Sequence, residues 1–334
     1  MTNSSATEDR LELTYHGALE VFLGTDASYG GGLSNHGPMA AEALVALGQE
    51  HQIGAFVASY RTRLEDPVGV VDAAPADWRD WLRGVLPELV PHVASRAGHG
   101  LLRVAHAVRG LERAEKAGAV SPVQLRELAA AVDYWRAGGN GLAAPSRLDG
   151  VEPVEEWLGS LGRLPADERF DGMLTVTLQR AVAMPDYGAR IAALAPSEDP
   201  ASTLDLMATA AAAAFERNVA MNAFALLHGA TVSAMAHVLL EHLDDDGARN
   251  LEAGVAGFVA AAVVGFDDPP LDEPRGGSAS DGHLDATSLA ASAAATLEDH
   301  TIKFAEACIA TAARTGDDAP LEALRRQIET PYGL

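Results

Sequence analysis

The chain has little cysteine, few basic residues and few aromatic residues. Its single cysteine, Cys308, cannot form an internal disulfide, which fits a reducing compartment. Lys and Arg number 24 against 47 Asp and Glu, so the net charge is −23. This charge repels phosphate backbones and anionic lipid surfaces, and we therefore expect neither a nucleic acid nor a membrane partner.

We also expect no targeting segment. Residues 1–10 are polar and acidic, and they lack the apolar run of a secretory signal. The longest run without Asp, Glu, Lys or Arg, residues 218–240, is long enough to cross a bilayer but contains polar residues such as Asn222 and His228. We interpret it as a buried helix and expect a cytoplasmic protein.

Several common catalytic motifs are absent. The sequence contains no His-Glu-x-x-His, no Glu-x-x-His and no Gly-x-Ser-x-Gly. These absences exclude the zincin pattern, the usual di-iron carboxylate bundle and the serine-hydrolase elbow. The glycine-rich stretches near Gly30 and Gly138 do not match Gly-x-Gly-x-x-Gly, so we expect no built-in nucleotide site.

What the sequence does contain is apolar residues, 48% of the total, repeating at helical spacing. Alternating β patterns are nearly absent, so we predict an all-α fold. We expect flexible residues 1–10 and one large multi-helix domain over residues 11–330, with loops at 138–152 and 267–283. Helices are predicted near residues 11–23, 39–47, 53–64, 77–89, 101–111, 122–132, 174–182, 204–215, 222–243, 248–266, 289–314 and 321–328.

Several of the 11 histidines lie within or beside apolar helical patterns. His36 follows three glycines and precedes Gly37-Pro38 at a predicted helix start. His99 and His106 are two turns apart on one helical face, and His228 and His300 lie in later helices. Imidazoles converging from distant helices can bind a metal such as iron or zinc, whereas a single buried histidine is more often structural.

The remaining titratable candidates have simpler interpretations. Lys303 lies three residues after His300, so both side chains can face one point. The simplest interpretation of Lys303 is a solvated helix lysine, or a partner of Glu306 or Asp299. We assign surface or structural roles to the other histidines, which are His16, His51, His92, His237, His242 and His283.

Four short motifs, in order along the chain, resemble those of the questin oxidase-like family. They are Ser34-Asn35-His36-Gly37-Pro38-Met39, His99-Gly100-Leu101-Leu102-Arg103-Val104-Ala105-His106, Leu227-His228-Gly229-Ala230-Thr231 and Asp299-His300-Thr301-Ile302-Lys303. The resemblance extends over most of the chain, from about Leu11 to Leu324. It implies an all-helical oxygenase that uses O₂ to oxidise a small organic molecule, such as an aromatic polyketide or other secondary metabolite, in a Baeyer–Villiger-like or C–C-cleaving reaction.

The resemblance also implies a ligand set. His36, His99, His228 and His300 would bind Fe(II) together with a carboxylated Lys303, and His106 would be a catalytic or orienting residue near the iron. His106 could instead replace His99 as the ligand. The NADPH dependence associated with the family has no matching nucleotide motif in this sequence.

The sequence departs from the fungal members of the family in two places. Those members tend to have further histidines where this chain has Met39 and Ala40, and another where it has Arg103. The substrate pocket is therefore expected to differ. Two other functions stay open at this point: a helical ligand-binding protein without a metal, and a zinc hydrolase that uses the same histidines.

Overall fold

Helices account for nearly all regular structure in the computed structural model, which describes residues 14–67, 72–139, 148–169, 174–196, 198–218, 224–267 and 285–330. The all-α prediction is confirmed, and the helices form a single domain. The fifteen α-helices of the described residues are Tyr15–Leu23 (α1), Gly37–Ala46 (α2), Ile53–Tyr60 (α3), Trp78–Leu89 (α4), His99–Lys116 (α5), Pro122–Ala137 (α6), Val154–Ser160 (α7), Leu174–Val182 (α8), Tyr187–Ala193 (α9), Pro200–Asn218 (α10), Phe224–Leu240 (α11), Asp245–Phe266 (α12), Ala286–Ala295 (α13), Asp299–Thr315 (α14) and Ala319–Glu329 (α15).

A small antiparallel hairpin precedes α2. Its strands are Ser28–Tyr29 (β1) and Leu33–Ser34 (β2), and Ser28 pairs with Ser34. The glycines of the turn have positive φ angles, which a residue with a side chain rarely adopts. The hairpin directs the chain into α2, where His36 is the N-cap residue and a proline occupies the first turn.

The apolar helices α11 and α12 lie at the centre of the fold. Helix α11 packs against α5, α10, α12 and α14, which together surround most of its surface. Helix α12 is long and apolar enough to cross a bilayer, but 89% of its most apolar window is buried inside the protein. This burial accounts for its composition, because the helix lies in the hydrophobic core.

One predicted helix is wrong in its extent. The segment 289–314 is expected to be continuous, but it forms two helices, α13 and α14, separated by three residues. Leu297 in this break has a φ of 54°, and Glu298 then caps α14 by accepting the backbone N–H groups of His300 and Thr301. The break is hard to predict because no glycine or proline marks it, and the cap at Glu298 stabilises it.

Other predictions fall partly or wholly outside the described residues. These are the flexible residues 1–10, most of the loop at 138–152 and nearly all of the acidic loop at 267–283, including His283. The short helices α7 and α9, seven residues each, are missing from the sequence prediction because two turns carry too little periodicity.

Candidate metal centre

Three of the predicted histidines lie at the beginnings of helices. His36 is the N-cap residue of α2, His99 is the first residue of α5, and His300 is the second residue of α14. The fourth, His228, lies within α11. All four side chains are buried, with exposed fractions between 1% and 7%.

The four imidazole rings contact one another in the interior. The potential ligand atoms of His36, His99 and His300 all lie within 4.8 Å of one another. The ring centroid of His36 is 4.6 Å from that of His99 and 4.5 Å from that of His300. His228 joins this triad through its Nε2 atom, which is 3.2 Å from Nε2 of His99. We call these four residues the histidine cluster.

Each ring of the histidine cluster has an oxygen acceptor at Nδ1. Nδ1 of His36 faces the carboxylate of Asp299, and Nδ1 of His300 lies 3.0 Å from Oε1 of Glu298. For His99 and His228 the acceptors are backbone carbonyl oxygens, those of Arg96 at 2.5 Å and of Phe224 at 2.9 Å. Because each acceptor requires a proton on Nδ1, each neutral ring carries its lone pair on Nε2.

The Nε2 atoms consequently lack suitable partners. Those of His36 and His300 are buried without any hydrogen-bond partner among the described residues. Those of His99 and His228 face each other as two lone pairs, an arrangement that a shared cation would stabilise. Imidazole nitrogens about 2.1 Å from one ion are roughly 3.0–3.4 Å apart in octahedral or tetrahedral geometry. The separation of 3.2 Å between His99 and His228 lies in this range, so the histidine cluster fits a metal ion.

The protonation states favour metal binding as well. Burial lowers the pKa of His36, His99 and His228 well below 6.5, and a positive charge on Lys303 lowers each of them further. The rings are therefore neutral at physiological pH, the form in which imidazole binds a metal.

Lys303 belongs to the same buried region. Its side chain is 3% exposed, so the alternative of a solvated helix lysine is wrong. Burial lowers its pKa to about 8, although the carboxylates of Asp299 and Glu298 act in the opposite direction. A substantial fraction of the amine is thus neutral near pH 8, and a neutral amine can act as a nucleophile or be carboxylated.

The backbone before His99 is held in an unusual conformation. Arg96, Ala97 and Gly98 have φ angles of 49°, 56° and 83°, which lie in the left-handed region. Such residues cost roughly 1–3 kcal/mol each when they are not glycine. The strained turn directs the carbonyl oxygen of Arg96 toward Nδ1 of His99 and thereby orients the ring.

The histidine cluster lies near the positively charged beginnings of three helices and near two negatively charged carboxylates. The beginnings of α2, α5 and α14 carry partial positive charge, which favours anions and opposes a cation. Asp299 contacts Nδ1 of His36 and lies 3.2 Å from Nδ1 of His300. With Glu298 it supplies negative charge that offsets both the helix ends and a divalent ion.

His106 lies outside the histidine cluster. It is seven residues beyond His99 on α5, which corresponds to roughly 10 Å along the helix axis. Its Nδ1 is 2.7 Å from Oε2 of Glu42, a fully buried carboxylate that also binds Arg109 and Arg113. Of the two residues considered as alternative ligands, the structure brings His99 to the cluster and places His106 in a separate ion-pair network.

Asp299 and Glu298 are the functional candidates that the sequence reasoning missed. Their signal is present in the sequence, because two acidic residues directly precede His300. The remaining described histidines have other surroundings: His16 and His51 are exposed, His92 is half-buried, His237 lies 3.0 Å from Asp205, and His242 lies 3.1 Å from Glu112.

Comparisons with protein families, with curated proteins and with solved structures found no match for this chain. The resemblance to the questin oxidase-like family therefore stays a prediction, and the arguments about function rest on the histidine cluster itself.

Proposed function

We propose that this protein is an Fe(II)-dependent oxygenase that oxidises a small organic molecule with O₂. The observation that carries the proposal is the convergence of four buried imidazoles whose Nε2 atoms lack hydrogen-bond donors among the described residues. In such an enzyme the iron would supply the capacity to activate O₂ for oxidation of the substrate.

The number of donors favours iron over zinc. Catalytic zinc usually has three protein ligands, and structural zinc has four in a closed tetrahedron. The histidine cluster offers four imidazoles, and Lys303, whose charge lowers the pKa of three of them, is a fifth candidate. Five ligands would leave one position of a six-coordinate iron free for O₂ or substrate, whereas they exceed the coordination number that zinc usually adopts.

The surrounding residues have defined roles in this proposal. Asp299 and Glu298 hold Nδ1–H of His36 and His300 and fix the orientation of both rings. Phe224 covers the cluster, since its ring centroid lies 4.5 Å from that of His228 and 4.6 Å from that of His300. An apolar cover of this kind excludes water from the centre.

Lys303 would be carboxylated in the active protein. Its neutral amine would attack CO₂, forming an N–C bond and releasing one proton, and the resulting carbamate would bear an anionic oxygen. The buried position of Lys303 and its pKa of about 8 support this step, because only the neutral amine reacts. The negative charge of the carbamate would also offset the charge of the iron.

Metal analysis tests the central proposal. Protein purified without oxygen is expected to contain about one iron per chain, as measured by plasma mass spectrometry, and to consume O₂ with its substrate. The His300→Ala variant should lose the iron, whereas His51→Ala, which removes an exposed histidine, should retain it. Stoichiometric zinc that supports hydrolysis would contradict the proposal and favour a zinc hydrolase. A folded protein that takes up no metal would favour a ligand-binding protein.

A separate experiment tests the carbamate. Protein incubated with ¹³C-labelled bicarbonate should show a carbamate carbonyl resonance in its ¹³C spectrum, and the Lys303→Met variant should lack it. The same resonance in the Lys303→Met protein would assign the signal to another lysine or to the N-terminus.

A further inference from the structure

A second group of buried donors lies beside the histidine cluster. Arg103 is one helical turn after His99 on α5, so both side chains project from one face of the helix. Its guanidinium is held by Glu127 of α6 through two hydrogen bonds of 2.7 and 2.9 Å. The remaining nitrogen, Nη1, is buried and finds no acceptor among the described residues.

Arg96 contributes a second guanidinium to this region. Its side-chain hydrogen bonds, to Ser28 Oγ and to the Ala137 carbonyl oxygen, are long, at 3.5 Å each. Its Nε is buried without an acceptor in the described part of the chain. No carboxylate of the described residues lies within ion-pair distance of it, which is unusual for a protein with a net charge of −23.

Tyr134 of α6 connects the two guanidinium groups. The central carbon of Arg96 lies 4.5 Å from the centroid of the tyrosine ring, and that of Arg103 lies 5.7 Å from it. The tyrosine hydroxyl hydrogen-bonds Ser34, which is two residues before His36. The group therefore contacts the segments that carry both His36 and His99.

The chemistry of these groups defines the ligand. Glu127 balances one of the two guanidinium charges, so a single positive charge remains. Two donor nitrogens without an acceptor and one surplus positive charge match a monoanionic oxygen group such as a carboxylate, whereas a phosphate dianion would require more charge. Arg96 and Arg103 lie three residues before and four residues after His99, which belongs to the proposed reaction centre.

We propose that Arg103 and Arg96, joined by Tyr134, form a subsite that binds the carboxylate of an organic acid substrate. The proposal rests on the proposed function for its biological meaning, since it identifies the substrate class of that reaction. Binding of a carboxylate at this subsite can nevertheless be measured without any metal.

Ligand-observed NMR titration in chloride-free buffer tests the subsite. The probes are acetate, benzoate and 1-naphthoate, each compared with its neutral amide, and the protein is used both metal-free and after reconstitution with Fe²⁺. At least one carboxylate should bind both forms about tenfold or more tightly than its amide, because charge-assisted hydrogen bonds are lost with the amide.

Three variants complete the experiment. Arg96→Gln should weaken carboxylate binding about tenfold without leaving a carboxylate of the protein unpaired. Arg103→Gln/Glu127→Gln removes the second guanidinium together with its partner and should have a similar effect. Arg136→Gln, at a partly exposed position on α6, should bind like the wild type.

Three outcomes would overturn the subsite. Binding of none of the three carboxylates would do so, and so would unchanged binding in the Arg96→Gln protein. A carboxylate that binds only the iron form, equally well in all variants, would be a metal ligand rather than a ligand of the subsite. Conversely, carboxylate binding to a protein that takes up no iron would preserve the subsite and reject the oxygenase.

Discussion

Nε2 of His99 and Nε2 of His228 lie 3.2 Å apart although both rings donate Nδ1–H to backbone carbonyl oxygens. Neither nitrogen can therefore donate a proton to the other while the rings are neutral. The pair is stabilised when a cation lies between the two lone pairs, so the stability of the protein should depend on metal.

The first prediction concerns metal and thermal unfolding. Adding Fe²⁺ without oxygen to metal-free protein should raise the melting temperature, by an amount equivalent to about 2.7 kcal/mol when free metal exceeds its dissociation constant 100-fold. The His228→Asn variant should lose most of this increase, as measured by calorimetry. His237→Asn, on the same helix but paired with Asp205, should keep it. Equal increases in both variants would exclude His228 as a ligand.

The second prediction concerns Asp299, which faces Nδ1 of His36 and Nδ1 of His300. Asp299→Asn keeps an acceptor but removes the charge, so metal affinity should fall about 10- to 100-fold. Competition with a chelator measures this affinity. The matched variant Asp133→Asn, at an exposed ion pair on α6, should leave it unchanged. Equal metal affinity in the two variants would show that Asp299 does not contribute to metal binding.

The third prediction concerns pH and Glu42. Burial alone would raise the pKa of Glu42, but the charge of Arg109 and the hydrogen bond from His106 outweigh it and hold the pKa well below 4.5. The unfolded chain therefore binds this proton more readily than the folded chain. Glu42 stabilises the protein above pH 4.5, and this stabilisation is lost as the pH falls below that value.

The Glu42→Gln variant tests this relationship by chemical denaturation at several pH values. At pH 7 it should be less stable than the wild type by about 3 kcal/mol, because buried cations lose their partner. Below pH 4.5 the difference should shrink by about 1.4 kcal/mol per pH unit. Glu88→Gln, at an exposed pair with Arg136, should remain close to the wild type. A difference that is constant from pH 7 to pH 3 would contradict the prediction.

The fourth prediction concerns the left-handed turn before His99. A Cβ atom on Gly98 would lie 2.4 Å from Cγ2 of Val232, and the φ of 83° is itself unfavourable for alanine. Gly98→Ala should therefore destabilise the protein by about 2–5 kcal/mol and weaken metal binding, since α11 must move away from His99.

Gly48 provides the control for this substitution. Its φ is 69°, but beyond its own chain neighbours no atom of the described residues lies within 4 Å of the position of an added Cβ. Gly48→Ala should cost only the conformational energy, about 1–2 kcal/mol, and should not affect metal binding. The double variant Gly98→Ala/Val232→Ala should regain part of the lost metal affinity. If the double variant regains no metal affinity, the loss in Gly98→Ala arises from the backbone conformation at position 98 and not from the contact with Val232.

The parts of the fold with strong local signals could be predicted from the sequence. The prolines and glycines around His36 mark the beginning of α2, and the periodic apolar residues of α5 and α12 mark those helices. The histidines could be identified as candidates because imidazoles are unusual within apolar helices.

The rest depends on tertiary contacts. Leu297 adopts a positive φ although leucine has no preference for it, so the break before α14 has no local signal. The orientation of His99 depends on the carbonyl oxygen of Arg96, which any residue would offer. Helical spacing places His99 and His106 on one face of α5, so it cannot distinguish them. Which of the two joins the other histidines depends on how α5 packs against α2 and α11.

The hydrogen bond between His36 and Asp299 joins residues that are 263 positions apart. At ribosomal rates of about 5–20 residues per second, His36 exists for roughly 13–50 seconds before Asp299 is added. During that time the first histidine cannot meet its carboxylate or His300. A metal held by all four histidines would therefore not guide early folding as zinc does in a zinc finger. The histidine cluster is complete only after α14 has been synthesised, so binding of a metal by the whole cluster would be a late step in the maturation of the protein.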